Sequence, residues 1–264
     1  MIEHRPIGIF DSGIGGLTVA RAINDLLPNE SILYFGDTEH LPYGEKSPEL
    51  IRRYSSRIAE HLVSSGCKAI VVACNSASSN ALDAVVHAAG PDVPVIDMVT
   101  PVVRSISTEA GCEHVGLIGT RATISSGLYR DTMKQLNPKT KLVSRATPLL
   151  ASAIEEGFFN DSIPLAVLEA YFSDTSFDNI DCMILGCTHY PLVKENVQDL
   201  LPKGVKVIDS PQLVAQELKR LLTESAQINL PVHKFQVSDL TENFKFSAHH
   251  FFGSDLNLEE VSFR

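Results

Sequence analysis

Short apolar runs rich in branched residues alternate along this chain with longer stretches whose apolar positions recur at helical spacing. That alternation predicts strands and helices in turn, and hence an α/β fold with mainly parallel sheets. Ile7 to Phe10 reads as a first strand, followed by Asp11-Ser-Gly-Ile-Gly-Gly16 and a helix with Leu17, Ala20, Ile23 and Leu27 on one face. Pro28 and Asn29 end that helix. Ile32 to Phe35 makes a second strand, Gly36 to Ser47 a polar loop, and Pro48 to Ser65 a helix. Ala69 to Ala73 and Val95-Ile96 read as the next strands.

Around Val99 the pattern restarts. A helix over 102–110 leads to a strand at Val115 to Ile118 and a helix opening near Thr123. Helical patterns follow over Leu149 to Glu156 and Ser162 to Ser173, then a strand over Asp181 to Leu185. Leu192 to Leu201 is helical, Val205 to Ile208 extended and Pro211 to Leu222 helical; the tail, 227–264, reads as strand, helix and strand. One internal echo stands out. Ala69-Ile-Val-Val-Ala-Cys-Asn-Ser76 matches Cys182-Met-Ile-Leu-Gly-Cys-Thr-His189 in form, an apolar strand ending in Cys and two polar residues before a helix. Two pseudo-symmetric lobes account for it, with residues 1–98 and 210–264 in one and 99–209 in the other. Open parallel sheets bind ligands beyond the carboxyl ends of their strands, so both cysteines are expected at a cleft between the lobes.

Composition narrows the function. Of 264 residues 44% are hydrophobic, enough for a sizeable core, while 22 Lys+Arg against 32 Asp+Glu leave a net charge of -10. That balance disfavours nucleic acid and anionic membranes as partners. No apolar run reaches the roughly 20 residues of a membrane helix, and Met1 to Pro6 does not read as a secretory leader. Five cysteines without a Cys-x-x-Cys pair fit a cytoplasmic, reducing setting with free thiols rather than a disulfide or zinc framework. Cys67, Cys112 and Cys182 are read as structural, because buried cysteine is usually just packing.

Cys74 and Cys187 differ because their contexts repeat. A thiolate on one side of a bound molecule and a thiol on the other form an acid–base pair, one removing a proton and the other returning one to the opposite face. The product is the mirror image, and no cofactor or metal is called for. Asp11 suits both a helix N-cap and a carboxylate beside Cys74 that accepts a bond from a substrate ammonium. His189, two residues from Cys187, is a candidate partner for that thiol. Hydroxyls and amides at the same strand ends (Ser12, Asn75, Ser76, Thr120, Thr123 and Thr188) favour a small amino acid or dicarboxylate, with Ser76 and Thr123 also credible as helix caps. The Gly13-Ile-Gly-Gly16 run lacks the third glycine of a dinucleotide fingerprint, since position 18 is Thr18. His249-His250 lacks a third metal ligand at a recognisable spacing.

Taken together, Ile9-Phe-Asp-Ser-Gly-Ile-Gly-Gly-Leu17, Gly36-Asp-Thr with Pro42-Tyr-Gly44, Ala73-Cys-Asn-Ser-Ala77 and Leu185-Gly-Cys-Thr-His-Tyr-Pro191 resemble the glutamate racemases, a branch of the aspartate/glutamate racemase superfamily. The resemblance runs over nearly the whole chain. It implies two α/β lobes around a cleft and cofactor-independent interconversion of L- and D-glutamate, the D-enantiomer serving peptidoglycan synthesis. It implies Cys74 and Cys187 as the two bases, the first for the D-substrate and the second for the L-substrate, assisted by Asp11, His189 and Glu155. Asp11, Ser12, Tyr43, Gly44, Asn75, Ser76, Thr120, Thr123, Thr188 and His189 match substrate-contacting positions. A homodimer is implied as well. The N-terminal extension of precursor-activated members is not expected, the first strand starting near residue 6. An aspartate racemase and a non-catalytic amino-acid binder remain as alternatives.

Overall fold

The computed structural model describes residues 5–109, 111–159, 162–222, 230–253 and 256–262. The ends of three readings (Met1 to His4 of the N-terminal segment, Ala110 of the fourth helix and 227–229 of the tail) lie outside these residues. In chain order the strands are β1 (Ile7–Asp11), β2 (Ile32–Gly36), β3 (Ala69–Val72), β4 (Val95–Ile96), β5 (His114–Gly119), β6 (Lys141–Ala146), β7 (Cys182–Gly186), β8 (Lys206–Ile208), β9 (Lys234–Val237) and β10 (Leu258–Glu260). The helices are α1 (Leu17–Leu26), α2 (Pro48–Ser64), α3 (Asn75–Ala89), α4 (Thr100–Thr108), α5 (Arg121–Ser126), α6 (Leu128–Leu136), α7 (Pro148–Glu155), α8 (Ser162–Tyr171), α9 (Lys194–Leu200), α10 (Ser210–Leu221) and α11 (Glu242–Phe252).

Two sheets result, a six-stranded one of order β10-β9-β2-β1-β3-β4 and a four-stranded one of order β6-β5-β7-β8. Every strand pair is parallel. Side chains alternate across a strand and both faces are covered, which explains why β1 to β3 are apolar apart from Asp11 at the end of β1. Ile7, Ile9, Ile32, Tyr34, Ala69 and Val71 face one core, shared with α1, α10 and α11. Phe10, Leu33, Phe35, Ile70 and Val72 face the other, under α2 and α3. In the second sheet Val115, Leu117 and Ile184 pack toward α4 and α6. Ile118, Met183 and Leu185 turn the other way, into the same core as Ile9 and Val71. The two sheets therefore share one apolar body beneath the cleft. No described helix is long and apolar enough to cross a membrane.

Two readings need correction. Cys112 and Cys182 are joined as a disulfide, 70 residues apart in sequence with Cα atoms 5.6 Å apart. Their adjacency comes from the β5–β7 pairing, which sets Val115 beside Cys182 and brings Cys112 to the same sheet end. No sequence spacing reveals that register. Cys67, Cys74 and Cys187 are free. The capping roles given to Ser76 and Thr123 also move: Cys74 caps α3, its sulfur accepting the Ala77 N–H at 3.5 Å, and Thr120 caps α5, accepting from Thr123 N–H at 3.2 Å.

At the opposite end of the first sheet from the cleft, Lys68 Nζ meets Glu30 Oε2 at 2.6 Å, both side chains nearly covered. Removing one partner of such a pair strands a buried charge, at a cost of about 3–5 kcal/mol. Lys68→Met is expected to lower the thermal midpoint accordingly, and the double change with Glu30→Leu to recover most of it. Equal losses in the single and double variants would show that the pair's charge is not the source.

Candidate active site

The cleft is built from strand ends. β1 delivers Asp11 and Ser12, β3 delivers Cys74 and the start of α3, β5 delivers Thr120, and β7 delivers Cys187, Thr188 and His189. All of these line one cleft, together with Gly44 and Glu155. The two thiols thus reach the same space from different sheets. Both are buried, Cys74 at 4% and Cys187 at 6% exposure. Cys112 and Cys182, joined as a disulfide, sit at the opposite end of the four-stranded sheet.

The surroundings of the two sulfurs differ. Cys187 Sγ lies 3.6 Å from His189 Nδ1, and His189 Nε2 lies 3.6 Å from Glu155 Oε2. Burial alone pushes the His189 pKa down, but the Cys187 sulfur and the Glu155 carboxylate outweigh it and hold the ring well above its ordinary value of 6.5. A positively charged imidazole therefore stands 3.6 Å from the Cys187 sulfur. On the other side, the Cys74 thiol donates to Ser12 Oγ at 3.7 Å. Burial, and then the neighbouring Asp11 carboxylate, push its pKa up, so it rests as a thiol. The two thiols therefore face the same space with different neighbours, an imidazole beside Cys187 and a carboxylate beside Cys74.

Asp11 does not cap α1, whose N-cap is Gly16, but it holds the turn before that helix and lines the cleft beside Cys74. Its Oδ2 accepts the Gly16 N–H at 2.8 Å, just before α1, while Oδ1 is buried with no hydrogen-bond partner. Burial raises its pKa, and the charge of His189 and the Gly16 bond only partly offset this. Asn75 Nδ2 is likewise buried without a partner, its Oδ1 being taken by Tyr129. A free acceptor and a free donor on one cleft wall match an ammonium and a carboxylate, the two ends of an amino acid. Ser76 Oγ, Thr120 Oγ1 and Thr123 Oγ1 bond one another across the sheets, at 2.8 Å for Ser76 to Thr120 and 3.0 Å for Thr120 to Thr123.

Two expected contact residues stand back from the surface of the cleft. Thr123 supports Thr120 from behind. Tyr43 is fully buried and donates to Asp37 Oδ2 at 2.5 Å, and Asp37 also holds His40 Nδ1 at 2.8 Å and Ser238 Oγ at 3.0 Å. That buried carboxylate anchors the loop carrying Gly44, with Pro42 and Glu45, onto the cleft. Pro42, Glu45, Pro148, Ala151 and Ser152 line the cleft without having been singled out; only Pro42 lies in a quoted motif. His249 and His250 lie on α11, and among the described residues no group of three His, Cys, Asp or Glu stands close enough to hold a metal ion.

Comparison with known proteins agrees with this geometry. The Asp/Glu/hydantoin racemase family profile matches residues 7–218. A glutamate racemase of Chlorobium phaeobacteroides is 40% identical over 262 residues, spanning 95% of this chain and 93% of the relative. The chain belongs to the glutamate racemase family. The crystal structure of the glutamate racemase of Francisella tularensis in complex with D-glutamate superposes with a TM-score of 0.92 at 38% identity, covering 98% of both chains. The RacE1 glutamate racemase of Bacillus anthracis gives 0.91 at 33%, again over 98% of both. An aspartate racemase of Picrophilus torridus, at 19% identity and a TM-score of 0.58, shares the fold alone.

Within a glutamate racemase the glycine-rich run has a steric purpose rather than a nucleotide-binding one. A Cβ on Gly15 would stand 2.4 Å from Thr188 Oγ1 and 2.5 Å from His189 Nδ1, and one on Gly16 would stand 2.5 Å from Asp11 Cβ. These glycines let the first lobe approach the Cys187 loop and Asp11 closely. Gly15→Ala is expected to cost about 1–3 kcal/mol of stability through overpacking and to cut turnover by displacing His189. A variant with normal turnover would show that the loop gives way without moving the ring.

Proposed function

We propose that this protein interconverts L- and D-glutamate by direct proton transfer between two cysteines. The observation that carries the reading is the pairing of two buried thiols from equivalent strand ends on one cleft, one beside an imidazolium and the other beside a carboxylate. With L-glutamate bound, the Cys187 thiolate takes the α-proton: the Cα–H bond breaks, an S–H bond forms, and the electron pair spreads into the α-carboxylate. The Cys74 thiol then gives its proton to the opposite face, leaving a Cys74 thiolate and D-glutamate. Protons and electrons balance, so the reaction asks for no cofactor. The reverse reaction starts from the Cys74 thiolate.

The supporting groups follow from charge. The free Asp11 oxygen receives the ammonium, and the Asn75 amide with the N-terminus of α3 receives a carboxylate. His189 and Glu155 steady the charge on Cys187, and Ser12, Ser76, Thr120, Thr188 and Gly44 complete the wall, with Tyr43 and Thr123 behind it. Residues 1–98 and 210–264 form one lobe and 99–209 the other, a division supported by the membership of the two sheets. The protein works in the cytoplasm, as a homodimer, supplying D-glutamate for peptidoglycan. Polarimetry with purified protein and no added cofactor tests the reading. Glutamate is expected to racemise from either enantiomer to an equal mixture, and a strong preference for aspartate in kcat/KM would overturn the choice of substrate.

A further inference from the structure

One buried side chain outside the cleft wall controls a group on it. Tyr129, on α6 and 1% exposed, donates its hydroxyl to Asn75 Oδ1 at 2.7 Å, across from the second lobe to the first residue of α3. Burial, with Asp97 and Cys187 nearby, pushes the phenol's pKa up, so it stays a donor. Asn75 is itself 2% exposed and lines the cleft, with Nδ2 buried and unpartnered. An amide has one acceptor end and one donor end. With the acceptor end engaged by the phenol, only N–H bonds are left for the cleft.

We infer that Tyr129 is a positioning residue that sets the specificity of the site, by locking the Asn75 amide so that it accepts a carboxylate and rejects an amide of the substrate. The inference rests on the glutamate racemase reading. A carboxylate offers only acceptors to Nδ2–H. Set between that N–H and the backbone N–H groups at the N-terminus of α3, a carboxylate satisfies both donors, whereas glutamine or the α-amide isoglutamine has one carbonyl oxygen, so its NH2 would face one of the donors and leave both unpaired in a buried site. Without the phenol the amide is free to turn over and present its oxygen, and the distinction fades.

Tyr129→Phe keeps the ring and removes only the hydroxyl. Free L- and D-glutamate are mirror images with an equilibrium constant of one, so any variant must lower kcat/KM equally in both directions. The informative measurements are coupling and discrimination. Tyr129→Phe is expected to lower kcat/KM about 10-fold in the wild-type background but less than about 2-fold in Asn75→Ala, where there is no amide left to orient. Inhibition by glutamine or by isoglutamine, relative to binding of glutamate, is expected to strengthen about 10-fold in Tyr129→Phe. Asn75→Asp supplies a second test independent of the Tyr129 variant's folding: with an oxygen facing the cleft, it is expected to favour one amide over glutamate. Additive losses in the double variant, unchanged discrimination in Tyr129→Phe, or a retained carboxylate preference in Asn75→Asp would each overturn the inference. If the wild-type protein does not racemise glutamate, the functional reading beneath it fails instead.

Discussion

Serine in place of Cys187 or of Cys74 is expected to lower racemisation about 1000-fold or more in both directions while leaving the fold intact. In the proposed mechanism each thiol is one half of a two-base exchange, and positioned acid–base groups of this kind contribute about 10²–10⁴-fold. A serine hydroxyl occupies nearly the same volume, so packing is preserved. It is far less acidic, so Cys187→Ser has no anion for His189 to stabilise. Cys74→Ser has a donor that gives its proton only at much higher cost. The change at Cys112 provides the contrast. That residue is tied to Cys182 at the far end of the second sheet, so Cys112→Ser is expected to shift the thermal midpoint and leave kcat within about 3-fold, since a disulfide acts mainly on stability. Full activity in either active-site variant, or loss of chemistry in Cys112→Ser, would move the reaction away from the cleft.

How much of this was legible beforehand depended on burial. β1, β3 and β7 are covered on both faces and read as unbroken apolar runs, so their positions, and the cysteines at the ends of two of them, followed directly from the sequence. β6 went unseen because it is an edge strand: Lys141, Ser144 and Arg145 interrupt it, and charge on an edge protects it from pairing with other chains. α6 was missed for a related reason, since Tyr129 and Met133 are its only buried residues. The cysteine at the end of β3 was recognised as chemistry but not as a helix cap, because thiols are not among the usual capping side chains. Asp37 sat in a quoted motif, yet its bond from Ser238 depends on β9 returning beside β2 from the far end of the chain. The disulfide was misread on the same account. Contacts set by local pattern were readable; those set by the register of distant strands were not.

Asp11→Asn is expected to separate function from stability. The substitution keeps an oxygen able to accept the Gly16 N–H, so the turn before α1 is preserved, but it removes the charge that would receive the ammonium beside Cys74. A charge-assisted bond becomes a neutral one, and kcat/KM is expected to fall about 100-fold. Stability should move the other way. Burial raises the Asp11 pKa above its ordinary 3.8, so the folded protein favours the protonated acid. A group of this kind contributes its full stability below pH 3.8 and loses it as pH rises through the folded pKa, where ionisation in the folded state is opposed by burial. At neutral and alkaline pH the wild-type protein bears that cost and the Asn variant does not. The variant should therefore melt higher at pH 7–8, each 1 kcal/mol being worth about 2–4 °C for a chain of this size, and the advantage should shrink as the buffer is brought toward pH 4. Thermal melts across that range, set beside the kinetics, check both signs. A variant less stable than wild type at pH 8 would mean that the lost attraction to His189 outweighs relief of the buried carboxylate, and that the cleft is better solvated than its burial indicates.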